Sequence, residues 1–280
     1  MVSVGRFFSN GSAVGGLIIF TIILVLTLLA DIVAPEGNGN ALEESLSPPS
    51  LRHPFGTDEL GRDIFGRVLH GARISLSIGF VARTISVVLG LILGVLAGYA
   101  GGRVDSVIMR LADVTFAFPT LLLLIAVTSV VHAGVVPLFI ALGVVGWAGM
   151  ARVVRGIVMS VKRREFVQAA KTAGAGHFVL IVRHILPEVM SPLIVVYTLG
   201  LGMTIMAESS LSFLGLGIQP PTPSWGKMIS SGIAFMRTAP WLTFFPGLFL
   251  TLTICSLNMI GDGIRDMFDP RGKVRFRSRI

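Results

Sequence analysis

The feature that most constrains this chain is a series of apolar stretches long enough to cross a lipid bilayer. Residues 11–30 carry no charge, and residues 114–151 carry no formally charged side chain over a length suited to two crossings. A transmembrane helix needs about 20 apolar residues to cross roughly 30 Å of hydrocarbon. Only 14% of the residues are charged, against roughly 25% in soluble domains. The sequence therefore predicts an all-α membrane protein that crosses the bilayer several times.

We expect six transmembrane helices. Arg6 precedes the first apolar run, which is longer than the core of a typical signal peptide, so this span is expected to remain uncleaved. Arg83 falls in the second run, where an ionisable residue is a functional hypothesis by default. Because residues 84–102 alone can cross the bilayer, the favoured position of Arg83 is near the interface, within reach of water. The expected spans are 11–30, 74–101, two within 114–151 that meet at His132-Ala133-Gly134, 189–207 and 241–260.

A polar segment rich in proline, glycine and acidic residues follows the first span at residues 31–73. Towards its end, apolar residues recur at helical spacing from Ile64 to Ala72. This pattern predicts a short amphipathic helix that lies at the membrane interface. Thr57 or Asp58 is the expected N-cap of this helix, because both side chains can accept from free amides of the first turn.

The longest polar interruption between two membrane-length segments is residues 162–187, which we name the hairpin. Its first part predicts a helix, because small or apolar residues recur at i, i+3, i+4 and i+7. Gly174 and Gly176 are expected to end this helix, since glycine adopts the left-handed conformation that closes helices. A second short helix follows, and Pro187 is expected to end it. A hairpin of two short helices outside the membrane is suited to bind in a groove on another protein. The two apolar faces are Phe166, Ala169, Ala170 and Ala173, and then Phe178, Ile181, Val182 and Ile185.

The hairpin resembles the "EAA…G…LP" loop in the membrane subunits of bacterial ABC importers. The matching residues are Gln168-Ala169-Ala170, then Gly174, then Leu186-Pro187. The chain departs from the pattern with Gln168 in place of glutamate and His184 in place of an aliphatic residue. The resemblance implies a coupling helix that docks on a separate ATPase, and an ordinary cytoplasmic loop is the alternative. The implied contact residues are Glu165, Phe166, Gln168, Ala169, Ala170, Lys171, Ala173, Gly174, Leu186 and Pro187.

Three further segments, residues 56–76, 208–226 and 261–271, resemble the peptide, nickel and glutathione branch of these permeases. The resemblance covers nearly all of the chain past the first span, and it implies a type I, MetI-like permease fold. The implied units are an N-terminal transmembrane helix (1–35), a periplasmic loop with an interfacial helix (36–73), a five-helix core (74–265) with a coupling loop (152–188) and a periplasmic loop (208–240), and a basic cytoplasmic tail (266–280).

Glu208 is expected at the outer end of the fifth span. We expect its carboxylate to help shape an outer gate or to dock an external binding protein. A helix end that simply faces water is the alternative.

The basic residues indicate the orientation of the chain, because arginine and lysine concentrate on the cytoplasmic side of membrane proteins. If both termini, residues 102–113 and the 152–188 loop share one side, that side carries 16 of the 23 basic residues. We therefore expect both termini and the hairpin in the cytoplasm. The net charge of +8 follows the membrane topology and does not indicate nucleic-acid binding.

The chain holds no candidate ATP site of its own. Its two Gly-Lys pairs are followed by Met228 and Val274, so neither completes a phosphate-binding loop. The single Cys255 allows no disulfide framework. We therefore expect no catalytic, cofactor or metal residues here, and we expect ATP and Mg²⁺ in partner subunits.

Three classes of function are compatible with the sequence. The family resemblance implies a permease that imports peptides by alternating access, with nickel or glutathione as alternative substrates. A proton-coupled transporter would normally carry acidic or histidine side chains inside its spans, and a non-transporting scaffold is the third class. The implied partners are a second, homologous permease, two ATPase subunits, an external substrate-binding protein and the lipid of a bacterial inner membrane, with no nucleic acid.

Overall fold

The computed structural model of the chain describes residues 4–35, 42–130 and 134–268. Every regular element in these ranges is helical. His132 and Ala133 of the expected turn and residues 269–280 of the expected tail lie outside them. The α-helices are α1 (Val4–Ser9), α2 (Gly11–Leu28), α3 (Ala30–Val33), α4 (Ile64–Ala100), α5 (Gly102–Phe116), α6 (Thr120–Val130), α7 (Val135–Val161), α8 (Glu165–Thr172), α9 (His177–Val179), α10 (Leu186–Phe213), α11 (Trp225–Gly232) and α12 (Trp241–Phe268), with a π-helix at Leu180–Ile185 and 3₁₀-helices at Leu42–Glu44 and Ile233–Phe235.

Five helical segments are long and apolar enough to cross a membrane, namely α2, α4, α7, α12 and the continuous segment His177–Phe213. The pair α5 and α6 makes a sixth crossing if it counts as one span, but it bends by 92°. The span expected between residue 114 and His132 is therefore not one continuous helix. Pro119 explains the break, because the residue before a proline is disfavoured in the helical conformation, and α6 alone, at 11 residues, is too short to cross.

Residues 102–113 form most of α5, where the sequence predicted only a short loop. Two ion pairs hold this helix against α7. The Nη2 of Arg155 donates to Oδ2 of Asp105 at 2.5 Å, and Arg152 pairs with Asp113. Since Arg152 and Arg155 belong to α7, the expected coupling loop does not begin at residue 152; α7 ends at Val161.

Helix α4 is continuous over 37 residues and contains the segment that was expected to form a separate interfacial helix. That prediction is wrong, as is its N-cap. Asp63 caps α4, and its Oδ2 accepts from the Gly66 amide at 2.8 Å. Thr57 and Asp58 are buried in the preceding loop, where Asp58 accepts from the amides of Leu60 and Arg62, both at 2.9 Å.

The closest helix packing joins α4 to α7 along a row of glycines. Gly90, Gly94 and Gly98 lie one turn apart, and a Cβ atom at Gly90 would meet the Cβ of Met150 at 2.3 Å. A Cβ atom at Gly98 would similarly meet Val158 at 2.8 Å. Small residues at such spacing allow the backbones of membrane helices to approach closely. This packing fixes the two helices that support the hairpin.

Helix α12 packs antiparallel to α10, and both exceed their expected length. A Cβ atom at Gly202 would meet Ile254, and one at Gly261 would meet Leu199. Helix α12 continues to Phe268, past the expected end of the sixth span at residue 260. At this end Asn10 donates to Asp266 at 2.9 Å. The beginning of α2, the end of α12 and the hairpin thus share one end of the molecule.

Candidate functional site

The hairpin begins with α8, and its turn follows the predicted glycine chemistry. Gly174 has φ +88°. The Gly174 amide donates to the Lys171 carbonyl at 3.0 Å, and the Ala175 amide donates to the Ala170 carbonyl at 3.1 Å. These two bonds satisfy carbonyls at the end of α8 and form a Schellman motif. The turn is therefore set by a residue that tolerates positive φ.

The second arm of the hairpin differs from its prediction. Pro187 does not end a helix, because the segment His177–Phe213 runs on through the π-helix into α10. Pro187 is the second residue of α10, a position where the missing amide hydrogen leaves few hydrogen bonds unmade. The second arm of the hairpin is thus helical as expected, but it is continuous with a membrane-length helix.

Most of the predicted docking face is exposed on the surface of the hairpin. Phe166, Ala169, Ala173 and Gly174 are exposed. Ala170 is the exception, because it is half-buried and packs against the cluster that contains Val158 and Leu180. The exposed small residues leave the α8 backbone accessible to a partner. Of the other implied contact residues, Glu165, Gln168, Lys171 and Pro187 are exposed and Leu186 is half-buried.

Polar contacts tie the hairpin to the spans beneath it. Arg164 pairs with Glu188 at 2.5 Å, and Gln168 donates to the Lys162 carbonyl at 2.7 Å. The Tyr99 hydroxyl at the end of α4 lies 2.7 Å from Nδ1 of His177. The hairpin therefore has direct polar contacts with both α4 and α10.

A second candidate site is a cavity of about 580 Å³ between α4, α6, α7 and α10, open on one side. Its walls are mostly apolar, and Met203 and Met206 lie on its rim. The polar side chains in its lining are Arg83, Ser86, Thr120, Thr204 and Ser210.

A smaller cavity of about 320 Å³ adjoins the first, and the two share Leu121, Met206 and Ser210. Their α10 lining extends from Val196 to Leu214, about 27 Å along a helix axis. The two cavities therefore form one groove that follows α10 for most of the thickness of a bilayer.

Arg83 lies in this groove, and its expected position at the membrane interface is wrong. The guanidinium reaches α10, where Nε donates to the Tyr197 carbonyl at 3.3 Å and Nη2 donates to the Val196 carbonyl. Gly200 provides the space, because a Cβ atom there would lie 2.0 Å from the guanidinium carbon. The guanidinium does not extend to water at the interface, because it donates hydrogen bonds to carbonyls of α10 inside the bundle.

Glu208 is completely buried, which rules out the alternative of a helix end that simply faces water. Helix α10 continues past it to Phe213. Its Oε1 accepts from the Ser212 hydroxyl at 2.7 Å and Oε2 accepts from the Ser209 hydroxyl at 3.2 Å. The Ser75 side chain of α4 lies beside the carboxylate. Glu208 is therefore buried where α10 faces α4, at the end opposite the hairpin.

Comparison with known proteins decides the family. Residues 90–274 match the family described as "Binding-protein-dependent transport system inner membrane component". This chain belongs to that family. Residues 3–49 also match the "N-terminal TM domain of oligopeptide transport permease C". It is therefore a membrane subunit of an ABC importer, as the hairpin motif predicted.

Individual relatives extend over almost the whole chain. The "Dipeptide transport system permease protein DppC" of Bacillus subtilis (strain 168) is 43% identical, over 95% of this chain and 84% of that protein. The "Glutathione transport system permease protein GsiD" of Escherichia coli O6:K15:H31 is 42% identical, over 96% of this chain and 89% of that protein. Among solved structures, the "MetNI methionine ABC transporter" in inward-facing conformations matches with a TM-score of 0.58 and 17% identity, over 72% of this chain and 96% of that chain. The MetI-like permease fold is thus confirmed.

The groove is the feature that sequence reasoning missed. The polar and methionine side chains of the expected spans include Thr115, Thr120, Thr128, Met203 and Met206, which form no recognisable set of substrate ligands in the sequence. The structure places Thr120, Met203 and Met206 along the groove, whereas Thr128 is buried and bonds the Leu124 carbonyl of its own helix. Thr115 likewise bonds its own helix, at the Leu111 carbonyl. The sequence signal that could have indicated the groove is Arg83, a charged residue in an apolar span with no acidic residue near it in the sequence.

Proposed function

We propose that this chain is one of two permease subunits of a peptide importer, and that it moves its substrate by alternating access. The observation that carries the proposal is the combination of an exposed, glycine-closed hairpin with a groove along α10 in the same rigid helical segment. The relatives named for dipeptide and oligopeptide transport support peptides as the substrate class. The glutathione permease relative supports glutathione, itself a tripeptide, as a second candidate.

The groove also supports a partner permease. One chain encloses only part of a passage, because the cavity between α4, α6, α7 and α10 is open on one side. A second permease of similar fold would close it. The exposed apolar side chains on the rim, Met203 at 77% and Met206 at 53% exposed, suit such an interface or a passing apolar substrate.

The energy for transport would come from two ATPase subunits, one on each hairpin. Closure of the ATPase pair would draw the hairpins together, and the continuous segment His177–Phe213 would carry that movement into the groove. Two packed arrangements of the permease pair then alternate, each exposing the groove to one side. An external binding protein would deliver the substrate on the side opposite the hairpin.

The proposed orientation places both termini and the hairpin in the cytoplasm of a bacterial inner membrane. The charge distribution supports it, since the hairpin alone holds Lys162, Arg163, Arg164, Lys171 and Arg183. The shared end of α2, α12 and the hairpin agrees with an even number of crossings between the termini.

The test is reconstitution of the complete complex in proteoliposomes with its binding protein. We expect ATP-dependent uptake of a labelled tripeptide and stimulation of ATPase activity by the loaded binding protein. A complex assembled with a catalytically inactive ATPase is the control and should show no uptake. Uptake driven by a proton gradient without ATP, or a complex that imports nickel chelates but no peptide, would contradict the proposal.

A further inference from the structure

Arg83 presents a positive charge to the groove without an acidic partner. No Asp or Glu among residues 4–35, 42–130 and 134–268 forms an ion pair with it. Its recorded partners are the carbonyls of Val196 and Tyr197 and the sulfur of Met150. An unpaired charge within a membrane span is costly and is retained where it serves a pathway. The charge therefore calls for an anion.

The guanidinium also has free hydrogen-bonding capacity. Its bonds use Nε and Nη2, and no acceptor in the described part of the chain takes a hydrogen from Nη1. Nη1 is not among the buried atoms that lack partners, so it remains accessible to the cavity. Gly200 keeps this position open, because any side chain there would displace the guanidinium. The arrangement holds one face of Arg83 on α10 and leaves the other for a ligand.

We propose that Arg83 binds the C-terminal carboxylate of the peptide as it passes through the groove. The inference rests on the proposed function, and it assigns the substrate group that this site recognises. Every linear peptide with a free C-terminus carries that carboxylate whatever its side chains, and arginine pairs with carboxylates through charge-assisted hydrogen bonds. The surrounding walls are mostly apolar, and the hydroxyls of Ser86 and Thr204 donate to backbone carbonyls, so the groove places few polar demands on the peptide side chains. One fixed charge in an otherwise undemanding groove suits a transporter of many peptides.

The experiment compares two tripeptides, Ala-Ala-Ala with a free C-terminus and its C-terminal amide, in the reconstituted complex. The ratio of their uptake rates is measured for wild type and for Arg83→Gln with the same binding protein. Preference of the binding protein then cancels in the comparison of ratios, as in a double-mutant cycle. Arg110→Gln removes an exposed cation from α5 and is the matched control.

We expect Arg83→Gln to lower uptake of the free acid about tenfold and to change uptake of the amide little, so that the acid-to-amide ratio falls. Arg110→Gln should leave the ratio unchanged. Arg83→Lys keeps the charge but loses the planar fork, so its ratio should lie between those of wild type and Arg83→Gln. If Arg83→Gln does not assemble, the lysine variant decides in the same way.

An equal loss for acid and amide in Arg83→Gln would overturn the inference, because Arg83 would then serve packing or pair with an acid of the second permease. An unchanged ratio in either variant would overturn it as well. Both results leave the proposed function intact, since wild type still imports the peptides. If wild type imports neither peptide, the proposed function itself fails, and the inference fails with it.

Discussion

At the scale of single residues, Glu208 is notable as a carboxylate that is fully buried in the described part of the chain. The carboxylate is fully buried and accepts from the hydroxyls of Ser209 and Ser212. Ser212 also accepts from the Ile218 amide at 3.3 Å, and Ser75 accepts from the Trp225 amide at 3.4 Å. Through Ser212, the carboxylate is thus connected to the residues that follow α10, and it lies beside Ser75 of α4. This position supports the predicted role in an outer gate and excludes direct surface contact with a binding protein.

We predict that Glu208→Ala loosens the segment between α10 and α11. The substitution removes the acceptor for buried hydroxyls, and each polar group left unsatisfied costs about 1–3 kcal/mol. Limited proteolysis at Gly215 to Thr222 should become faster, and peptide uptake should fall. Glu208→Gln keeps the size and one acceptor, so it should retain more of both properties. Unchanged proteolysis in Glu208→Ala would show that the carboxylate does not hold this segment, and the gate hypothesis would lose its support.

Sequence reasoning about these residues failed for one physical reason. Arg83 was placed near the membrane interface, and Glu208 at the outer end of the fifth span, because charged side chains are expensive in hydrocarbon. Local hydration, however, is only one way to satisfy a charge. Carbonyls of α10 receive Arg83, and serine hydroxyls receive Glu208. These partners lie more than a hundred residues away for Arg83, so no local pattern could reveal them.

At the scale of elements, the hairpin could be predicted because its determinants are local. The helix, the positive φ of Gly174 and the exposed small residues all follow from residue type and spacing. The continuity of α4 and of His177–Phe213 could not be predicted in the same way. Asp63 and Pro187 both resemble helix boundaries in sequence. Only Asp63 precedes the start of a helix, whereas Pro187 lies inside a continuous helical segment. The glycines at 90, 94 and 98 were a readable signal for close packing that the span pattern alone did not use.

We predict that Ala169→Trp prevents docking of the ATPase. Ala169 is exposed on α8, so the indole would not disturb the permease but would occupy space that a partner needs. Adding even a few methylenes to a packed contact costs about 1–3 kcal/mol. Ala234→Trp, on an exposed alanine at the opposite end, is the matched control. Co-purification of the ATPase and peptide uptake should fall only for Ala169→Trp; full assembly and uptake would show that α8 is not the coupling helix.

The turn provides a second test of the same contact. A Cβ atom at Gly174 meets nothing within 4 Å, so any effect of substitution comes from its φ of +88°. Gly174→Val should impair coupling, because a β-branched residue strongly disfavours the left-handed region. Gly174→Asn should be tolerated better, since asparagine adopts that region more readily. Equal ATPase coupling in the two variants would contradict a role for the turn geometry.

At the scale of the whole molecule, the helices form a bundle whose two ends carry different chemistry. The hairpin, α5 and the beginning of α2 lie at one end, and the loop before α4, α11 and the beginning of α12 lie at the other. The membrane-spanning fold followed from the apolar runs, because hydrocarbon thickness fixes the length of a span. The bend between α5 and α6 could not be predicted in this way, since two short helices and one long helix can have the same composition. Orientation rests on the basic residues.

We predict that the hairpin and the C-terminal tail face the cytoplasm and that the other end faces outward. Cys255 is replaced by alanine, and single cysteines are introduced at Ser50, Thr172, Thr222 and Ser278. Ser50, Thr172 and Thr222 are exposed, so each introduced thiol is open to reagent. In right-side-out spheroplasts, a membrane-impermeant maleimide should label positions 50 and 222 only, whereas lysis should expose all four. The physical reason is that 16 of the 23 basic residues lie on the side of positions 172 and 278, and translocating them is unfavourable.

Labelling of position 172 before lysis would invert the orientation and place the hairpin out of reach of any ATPase. Opposite behaviour of positions 172 and 278 would instead show an odd number of crossings between them, and α10 and α12 could then not both span the membrane.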